Sequence, residues 1–288
     1  MISALWMGIL LFLLSLLLVY EVINPFYTVH HAGIILIILA VTLSIVAIIN
    51  ARGFVVKEVE IPLKKLKKDV NIVHLSDIHL GTIRNSDFLK KIVEKTHELD
   101  PDIVMITGDM VDARARIDKS MFRAFDRLRA QVYFVAGNHE VYEQKDIIYE
   151  LFNDSKIQSL KNEVVEHEGL QIIGIEFSQD KEHVGNELAK LQLDQIKPAV
   201  LMLHVPEGMV HAKKVGIDLQ LAGHTHSGQI FPFNFLVRLA FKHLNGLYDC
   251  GGMYLYVSSG TGTWGPYMRF GSRNEIALLK LRVFSADV

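Results

Sequence analysis

Residues 70–79 read VNIVHLSDIH, a mostly apolar and β-branched run, Val70 to Leu75, delivered into the polar group Ser76-Asp77-Ile78-His79. A short apolar run bounded by polar residues reads as a buried strand, and the residues after it sit at the strand's carboxyl end. The same construction recurs downstream. Ile103 to Thr107 runs into Gly108-Asp109-Met110-Val111-Asp112, and Val132 to Ala136 into Gly137-Asn138-His139-Glu140. Ala199 to Leu203 is followed by His204, and Leu219 to Ala222 by Gly223-His224-Thr225-His226.

Helical patterns separate these runs. Ser86 is the expected N-cap of a helix over Asp87 to Leu99, stopped before Pro101. Further helices are expected from about Tyr142 to Phe152 and around Val184 to Leu191. Val164 to His167 and Leu170 to Ile175 flank the turn Glu168-Gly169 as a hairpin, and Met253 to Ser258 and Ile276 to Leu281 supply the last strands. Alternation of this kind indicates a layered α/β architecture, and no solenoid-like repeat is present.

Side chains at the carboxyl ends of neighbouring strands converge on one sheet edge, where α/β proteins bind ligands. Here that edge gathers aspartates, an asparagine and several histidines. An O/N donor set without thiolate suits Mn, Fe, Zn or Co rather than Ca or a thiolate zinc site. In Asp77-x-His79 and His224-x-His226, residues two apart leave a strand on the same side, so both can reach one centre. The glycines before Asp109, Asn138 and His224 permit sharp turns and close backbone approach. His97, His167, His183, His211 and His243 stand outside the pattern and read as solvated or packed residues.

Composition narrows the class. A formal charge of -2 over 288 residues argues against bulk nucleic-acid binding, and the single cysteine, Cys250, excludes an intrachain disulfide framework. Half the residues are hydrophobic, and the excess lies at the N-terminus. Met1 to Tyr20 and Ala32 to Ile49 carry no charge, and each approaches the ~20 residues that cross a hydrocarbon core. Glu21, Asn24-Pro25 and His30-His31 form the turn between them, which suits a transmembrane helical hairpin. A cleaved signal peptide would need a basic n-region and a small-x-small site, and would leave the second run unexplained. The turn holds no Lys or Arg, whereas Arg52, Lys57, Lys64, Lys65, Lys67 and Lys68 follow the second run. The expectation is therefore a multi-pass protein of the cell membrane with its N-terminus and catalytic domain on the cytoplasmic side. Residues 1–50 are read as two transmembrane helices, 51–68 as a basic juxtamembrane linker that either touches anionic headgroups or is simply solvated, and 69–288 as the catalytic domain.

With all five motif blocks in this order, residues from about Val70 to Arg282 resemble the calcineurin-like metallophosphoesterase superfamily. The resemblance implies a four-layer α/β/β/α sandwich with a binuclear centre of two divalent metal ions. By that likeness one ion would be held by Asp77, His79, Asp109 and His226. The other would be held by Asp109, Asn138, His204 and His224, with Asp109 bridging. His139 resembles the family histidine that donates to the phosphate or leaving-group oxygen, and Asp112 its orienting partner. The implied reaction is attack of a metal-bound hydroxide on phosphorus, with the two ions flanking an in-line displacement. The Ser/Thr phosphatases of the superfamily follow the second aspartate with arginine, whereas here Asp112 is followed by Ala113, which argues against a protein phosphatase. Arg114 and Arg116 lie close by in sequence without an assigned contact. The segment from Gly260 to Ile276 resembles the C-terminal block of the membrane-linked phosphodiesterase branch, in which Arg269 is read as a substrate-phosphate contact or a structural ion pair.

One further segment bears on substrate. Gly228 to Asp249 is apolar, with Phe231, Phe233, Phe235, Leu236, Val237, Leu239 and Phe241 interspersed with Arg238, Lys242 and His243. A helix over Phe235 to Leu244 would be amphipathic with a basic face, suited to a membrane interface beside the site or, alternatively, to core packing or a dimer contact. The expected function is hydrolysis of a phosphodiester or pyrophosphate bond in a lipid or lipid-linked substrate, with the phospholipid membrane as partner. A membrane-tethered hydrolase of soluble nucleotides and a non-catalytic scaffold of the same fold are the alternatives.

Overall fold

The computed structural model describes residues 2–284 apart from 82, 113–116 and 144, so Arg114 and Arg116 lie outside the described residues. The chain opens with α1 (Ile2–Ile23) and α2 (Ala32–Arg52), both long and apolar enough to cross a membrane. They pack as a hairpin through Leu5, Ile9, Phe12 and Leu16 against Ala40, Leu43 and Ala47. Their few hydroxyls are satisfied within the helices, with Ser15, Thr42 and Ser44 each donating to the carbonyl four residues earlier.

After Gly53 come β1 (Phe54–Leu63), β2 (Val70–Leu75), α3 (Ser86–Glu98), β3 (Ile103–Thr107) and a 3-10 segment at Lys119–Arg127. Next are β4 (Gln131–Val135), α4 (Asn138–Tyr142), α5 (Lys145–Phe152) and β5 (Ile157–Ser159). The second half runs through β6 (Glu163–His167), β7 (Leu170–Ile175), α6 (His183–Lys190), β8 (Ala199–Leu203), α7 (Met209–Lys214) and β9 (Leu219–Ala222). The chain then forms α8 (Phe233–Ala240), β10 (Gly246–Asp249), β11 (Tyr254–Val257) and β12 (Asn274–Val283).

Two six-stranded mixed sheets result, ordered β1-β12-β2-β3-β4-β5 and β10-β11-β9-β8-β7-β6. Alternate residues of each strand face opposite ways, and both faces are apolar. Ile72, Met105 and Val135 of the first sheet meet Val200, Met202 and Leu221 of the second, forming the layer between the sheets. Val73, Ile106 and Phe134 point outward beneath Leu89 and Ile92 of α3 and Phe122, Phe125 and Phe152. Ile173, Leu201 and Leu203 do the same beneath Val184 and Leu188 of α6 and Ala212 of α7. The result is the expected α/β/β/α order of layers, and β2, β3, β4, β8 and β9 bring their carboxyl ends together above the inter-sheet layer.

Several elements differ from the sequence reading. The segment 51–68 is no linker: β1 begins one residue beyond α2 and pairs in parallel with β12 from Phe54↔Asn274 to Leu63↔Val283. Because a strand advances ~3.3 Å per residue, β1 carries Lys64, Lys65, Lys67 and Lys68 roughly 30 Å from the end of α2. There Lys65 pairs with Asp218 at 3.0 Å and Lys68 with Glu168 at 3.4 Å, so the structure directs these two lysines to carboxylates of the soluble domain. Asn85, not Ser86, caps α3, accepting from the amides of Asp87 and Phe88. The helix expected from about Tyr142 to Phe152 is α5, and a separate short helix, α4, precedes it where Asn138 enters a helical turn directly from its loop. The apolar insertion forms α8 two residues earlier than expected, and Arg238 is its only basic residue, with Lys242 and His243 falling beyond its end.

His74 lies wholly buried on β2, its Nε2 2.8 Å from Thr107 Oγ1. Burial pushes its ring from 6.5 down to about 3, so the folded state keeps it neutral while the unfolded chain takes up a proton below its ordinary value. Its contribution is intact above about pH 6.5 and is lost as pH falls toward 3, at ~1.4 kcal/mol per pH unit. In detergent-solubilised protein, His74→Asn is expected to reduce the drop in Tm between about pH 7 and about pH 5. An unchanged drop would remove His74 as its source.

Candidate metal centre

Each donor reaches the shared edge from the end of a different strand. Asp77 and His79 follow β2, Asp109 follows β3, Asn138 and His139 follow β4, His204 follows β8, and His224 and His226 follow β9. Asp77, His79, Asp109, His224 and His226 all adopt left-handed backbone, with φ between 48° and 67°. Such conformations cost of order 1–3 kcal/mol each in non-glycine residues and persist only where the surroundings impose them. The paired donors therefore converge through tight turns and not through extended alternation. Asp77 and His79 do share one centre, whereas His224 and His226 separate, one to each side of the cluster.

The imposing contacts are visible. Gly108, at φ 82°, lies against the backbone of Gly137, and a Cβ there would also strike His204. A Cβ on Gly223 would drive into Ser76 and the Asp77 carboxylate. Only glycine lets these loops approach closely enough for their donors to meet.

The donor atoms form three overlapping groups: Asp77, His79 and His226; His79, Asp109 and His139; and Asp109, His204 and His224. Asp109 belongs to two of them, with Oδ2 at 3.2 Å from His204 Nε2 and 3.9 Å from His79 Nε2. Asn138 Oδ1 lies 3.1 Å from His204 Nε2. His204 Nδ1 donates to the Thr107 carbonyl at 2.7 Å, and His79 Nδ1 donates to Asp112 Oδ1 at 2.7 Å. Each bond leaves Nε2 as a lone pair aimed into the cluster, as a metal-ligating histidine requires. His79 Nε2 faces His226 Nε2 at 3.1 Å, and His204 Nε2 faces His224 Nδ1 at 3.2 Å. Opposed nitrogens and carboxylates at these distances fit divalent cations between them.

A proton competes for the same Nε2 atoms, and a divalent cation would have to displace it. Burial disfavours a charged His204 ring, but the Asp109 carboxylate outweighs it and raises the ring to about 10. Burial pushes Asp109 up, yet His204 and His79 hold it well below the usual carboxylate range. His224 is lowered to about 4 by burial and by its neighbour His204.

Three residues sit otherwise than the motif pattern implied. Asp112 is bonded to His79 and stands 3.6 Å from His139 Nδ1, so it orients the ligand histidine before it orients His139. His139 is lowered by burial, against the raising influence of Asp109, which does not favour a permanently protonated ring. Arg269 is fully buried, and its guanidinium is turned to acceptors within the protein. Its five N–H groups are engaged by Asn274 Oδ1, the His226 carbonyl, Ser272 Oγ and the carbonyls of Gly260 and Gly262. It is a brace beneath the His226 loop. Sequence reasoning passed over Glu140, whose buried carboxylate accepts from the amides of Asp109 and Gly137 at 2.9 Å and of Val111 at 3.1 Å. An acidic residue in a Gly-Asn-His-Glu turn between two buried strands was its only signal.

A cavity of about 460 Å³ opens over the cluster. His79, Asp109, Asn138 and His139 form its floor, while Phe233, Val237 and Phe241 line one wall and Met7, Gly8 and Leu11 of α1 another.

Two facing sheets that present a cation-binding cluster of this composition at their joint edge define a metallophosphoesterase. The chain belongs to the calcineurin-like phosphoesterase family, whose sequence profile matches residues 70–228. It is 38% identical over 234 residues to an uncharacterized metallophosphoesterase of Helicobacter pylori, covering 78% of this chain and 63% of that one. It is 35% identical over 256 residues to an uncharacterized metallophosphoesterase of Campylobacter jejuni, covering 86% and 68%. It is also 32% identical over 273 residues to a Bos taurus transmembrane protein with metallophosphoesterase domain, covering 85% and 61%. The matches to the Helicobacter and bovine relatives span somewhat less than two thirds of those proteins.

Glu140→Gln would leave at least one of the three amides without an acceptor, costing ~1–3 kcal/mol. The expected outcome is a Tm lowered by roughly 2–4 °C per kcal/mol together with weaker metal binding, while His139→Ala leaves Tm nearly unchanged. Calorimetry and metal titration check this, and wild-type behaviour of Glu140→Gln in both would remove its bracing role.

Proposed function

We propose that the protein is a membrane-anchored, metal-dependent hydrolase of a phosphodiester or pyrophosphate bond in a lipid or lipid-linked substrate. The observation that carries this reading is the cavity over the donor cluster, which has a polar floor and apolar walls contributed by α1 and α8. A phosphate group suits the floor, and acyl or isoprenoid carbon suits the walls. On α8, Phe235, Leu236 and Leu239 are turned outward and exposed, so the helix has apolar surface both toward the cavity and away from it. A soluble nucleotide would meet few polar partners beyond the floor.

Asp77, His79, Asp109 and His226 are assigned to one divalent ion, and Asp109, Asn138, His204 and His224 to the other, drawn from Mn, Fe, Zn and Co. When bound, such ions supply Lewis acidity toward a phosphoryl oxygen and acidify water. His139 Nε2 lies 3.9 Å from Asp109 Oδ2, where the ring faces the space above the cluster. A phosphate anion beside it would favour the protonated ring, letting Nε2 donate to the leaving-group oxygen. Asp112 keeps His79 in its ligating tautomer, and the apolar walls exclude bulk water.

The test uses full-length protein in detergent and in bilayers, with Mn or another divalent ion. Hydrolysis of bis-p-nitrophenyl phosphate and of a lipid pyrophosphate is expected to disappear in Asp109→Ala and to fall ~10²–10⁴-fold in His139→Ala. Phe233→Ser and Phe241→Ser should raise KM for the lipid about tenfold or more while sparing the small diester, since each removes ~1.5–3 kcal/mol of apolar burial. Equal turnover of nucleotides and lipid, indifferent to both Phe variants, would favour the tethered nucleotide hydrolase. Folded, metal-loaded protein inert toward every substrate would favour the scaffold.

We also assign the catalytic domain to the cytoplasmic side, on the Lys and Arg asymmetry about the hairpin. In a Cys250→Ser background, a cysteine introduced at Lys190 should resist an impermeant maleimide in intact cells and react after lysis. Labelling of intact cells would reverse the orientation.

A further inference from the structure

A second cavity, of about 410 Å³, lies where the membrane hairpin meets the catalytic domain, away from the donor cluster. Leu5 of α1 and Ile48 of α2 form its apolar side, and Arg52, Arg84, Lys91 and Tyr267 its other side. Leu5 is near the start of α1 and Arg52 ends α2, so the cavity sits at one end of the hairpin, the depth of a bilayer's headgroups.

Arg84 is the unusual member. It is 2% exposed, with its guanidinium carbon 4.0 Å from the Phe88 ring centroid and 4.8 Å from that of Tyr267. Nη2 donates to the Ala51 carbonyl at 3.3 Å and to Thr263 Oγ1 at 3.2 Å. Nε and Nη1 are buried with no hydrogen-bond partner among the described residues. Burial lowers Arg84 to about 10, which leaves it charged at neutral pH. A buried arginine is ordinarily paired with an anion, and leaving its N–H groups unmet is costly. No carboxylate among the described residues is ion-paired with Arg84, Arg52 or Lys91, and Asp87 at the cavity wall is engaged by Lys90 at 3.4 Å. The site therefore combines three uncompensated cations with a hydrocarbon surface.

We propose that this cavity binds the phosphate headgroup of an anionic bilayer lipid, with Arg84, Arg52 and Lys91 around the phosphate and the acyl chains along Leu5 and Ile48. Free phosphate would satisfy the cations but leave the apolar side unused. The lipid is a ligand here and not a substrate, since the donor cluster is not among the lining residues. Arg84 also holds the Ala51 carbonyl, which accepts from Asn274 Nδ2 at 2.8 Å as well. An occupant would thus brace the joint between α2 and the sheet, and the site stands whether or not the catalytic reading does.

The experiment reconstitutes full-length protein in phosphatidylcholine vesicles with and without phosphatidylglycerol, then counts retained lipids by native mass spectrometry after mild extraction. Preferential retention of one phosphatidylglycerol is expected. Arg52→Gln and Lys91→Gln should each lower that preference about fivefold, the factor matching ~1 kcal/mol per charge at an anionic surface. Arg84→Gln should abolish it, and if that variant fails to fold the two surface variants decide. Lys95→Gln, on the same helix but paired with Glu98 outside this cavity, should retain the lipid as wild type does. Equal loss in Lys95→Gln would reduce the effect to general surface charge and overturn the site. A Tm increase from inorganic phosphate alone in neutral detergent, matching that from phosphatidylglycerol, would replace the lipid by a free anion. Absence of any preference would overturn the proposal outright.

Discussion

Electron pairs that face one another are what this structure must hold together. Ring nitrogens of His79 and His226 stand 3.1 Å apart, those of His204 and His224 3.2 Å apart, with the Asp109 carboxylate between the groups. Nothing intrinsic to the short loops favours that arrangement, and left-handed backbone at five of the donors opposes it. The surrounding fold supplies the restraint: two sheets packed face to face, glycines where the loops touch, Glu140 tying three amides, and Arg269 propping the His226 turn. Charge neutrality alone would not suffice, because donor direction is set by hydrogen bonds to Thr107 and Asp112.

The two sheets contribute unequally. The first delivers both aspartates, His79, Asn138 and His139, and the second delivers three histidines. The cluster therefore exists only when the sheets are docked, and the apolar layer of Ile72, Met105, Val200 and Leu221 is as much a part of metal binding as the ligands. Family membership and this geometry agree, and the cluster lies beneath apolar walls formed by α1 and by Phe233, Val237 and Phe241.

Most of the strands, and the donors at their ends, were legible in the sequence because the signals are local. An apolar run, a glycine and a donor within about ten residues need no knowledge of tertiary contacts. β1 was not legible. Val59, Ile61 and Leu63 alternate with Glu58, Glu60 and Pro62 in a strand pattern, but its partner β12 lies more than 200 residues away and the flanking lysines invited a topological reading. Arg269 failed for the opposite reason: its charge was visible in sequence, and the five acceptors that consume it were not. Asp112 was assigned to His139 by family likeness, whereas packing sets it closer to His79. The contribution of α1 to the cavity over the cluster depends on how the hairpin leans against Pro266 and Met268, a docking geometry that periodicity does not encode.

The junction at Gly53 has a consequence for any attempt to free the soluble part. A fragment starting at Asp69 would discard β1 and leave β12 with ten residues of unpaired backbone along one side, a template for edge-to-edge aggregation. Starting at Gly53 would restore that edge yet sever the Arg269 amide from the Ala47 carbonyl, to which it donates at 2.8 Å. It would also uncover Ile230, Met268 and Phe270, which pack on the hairpin. The hairpin and the sheets thus share backbone and apolar contacts on both sides of Gly53, and a cut at that junction would bare an apolar face and not release a finished domain.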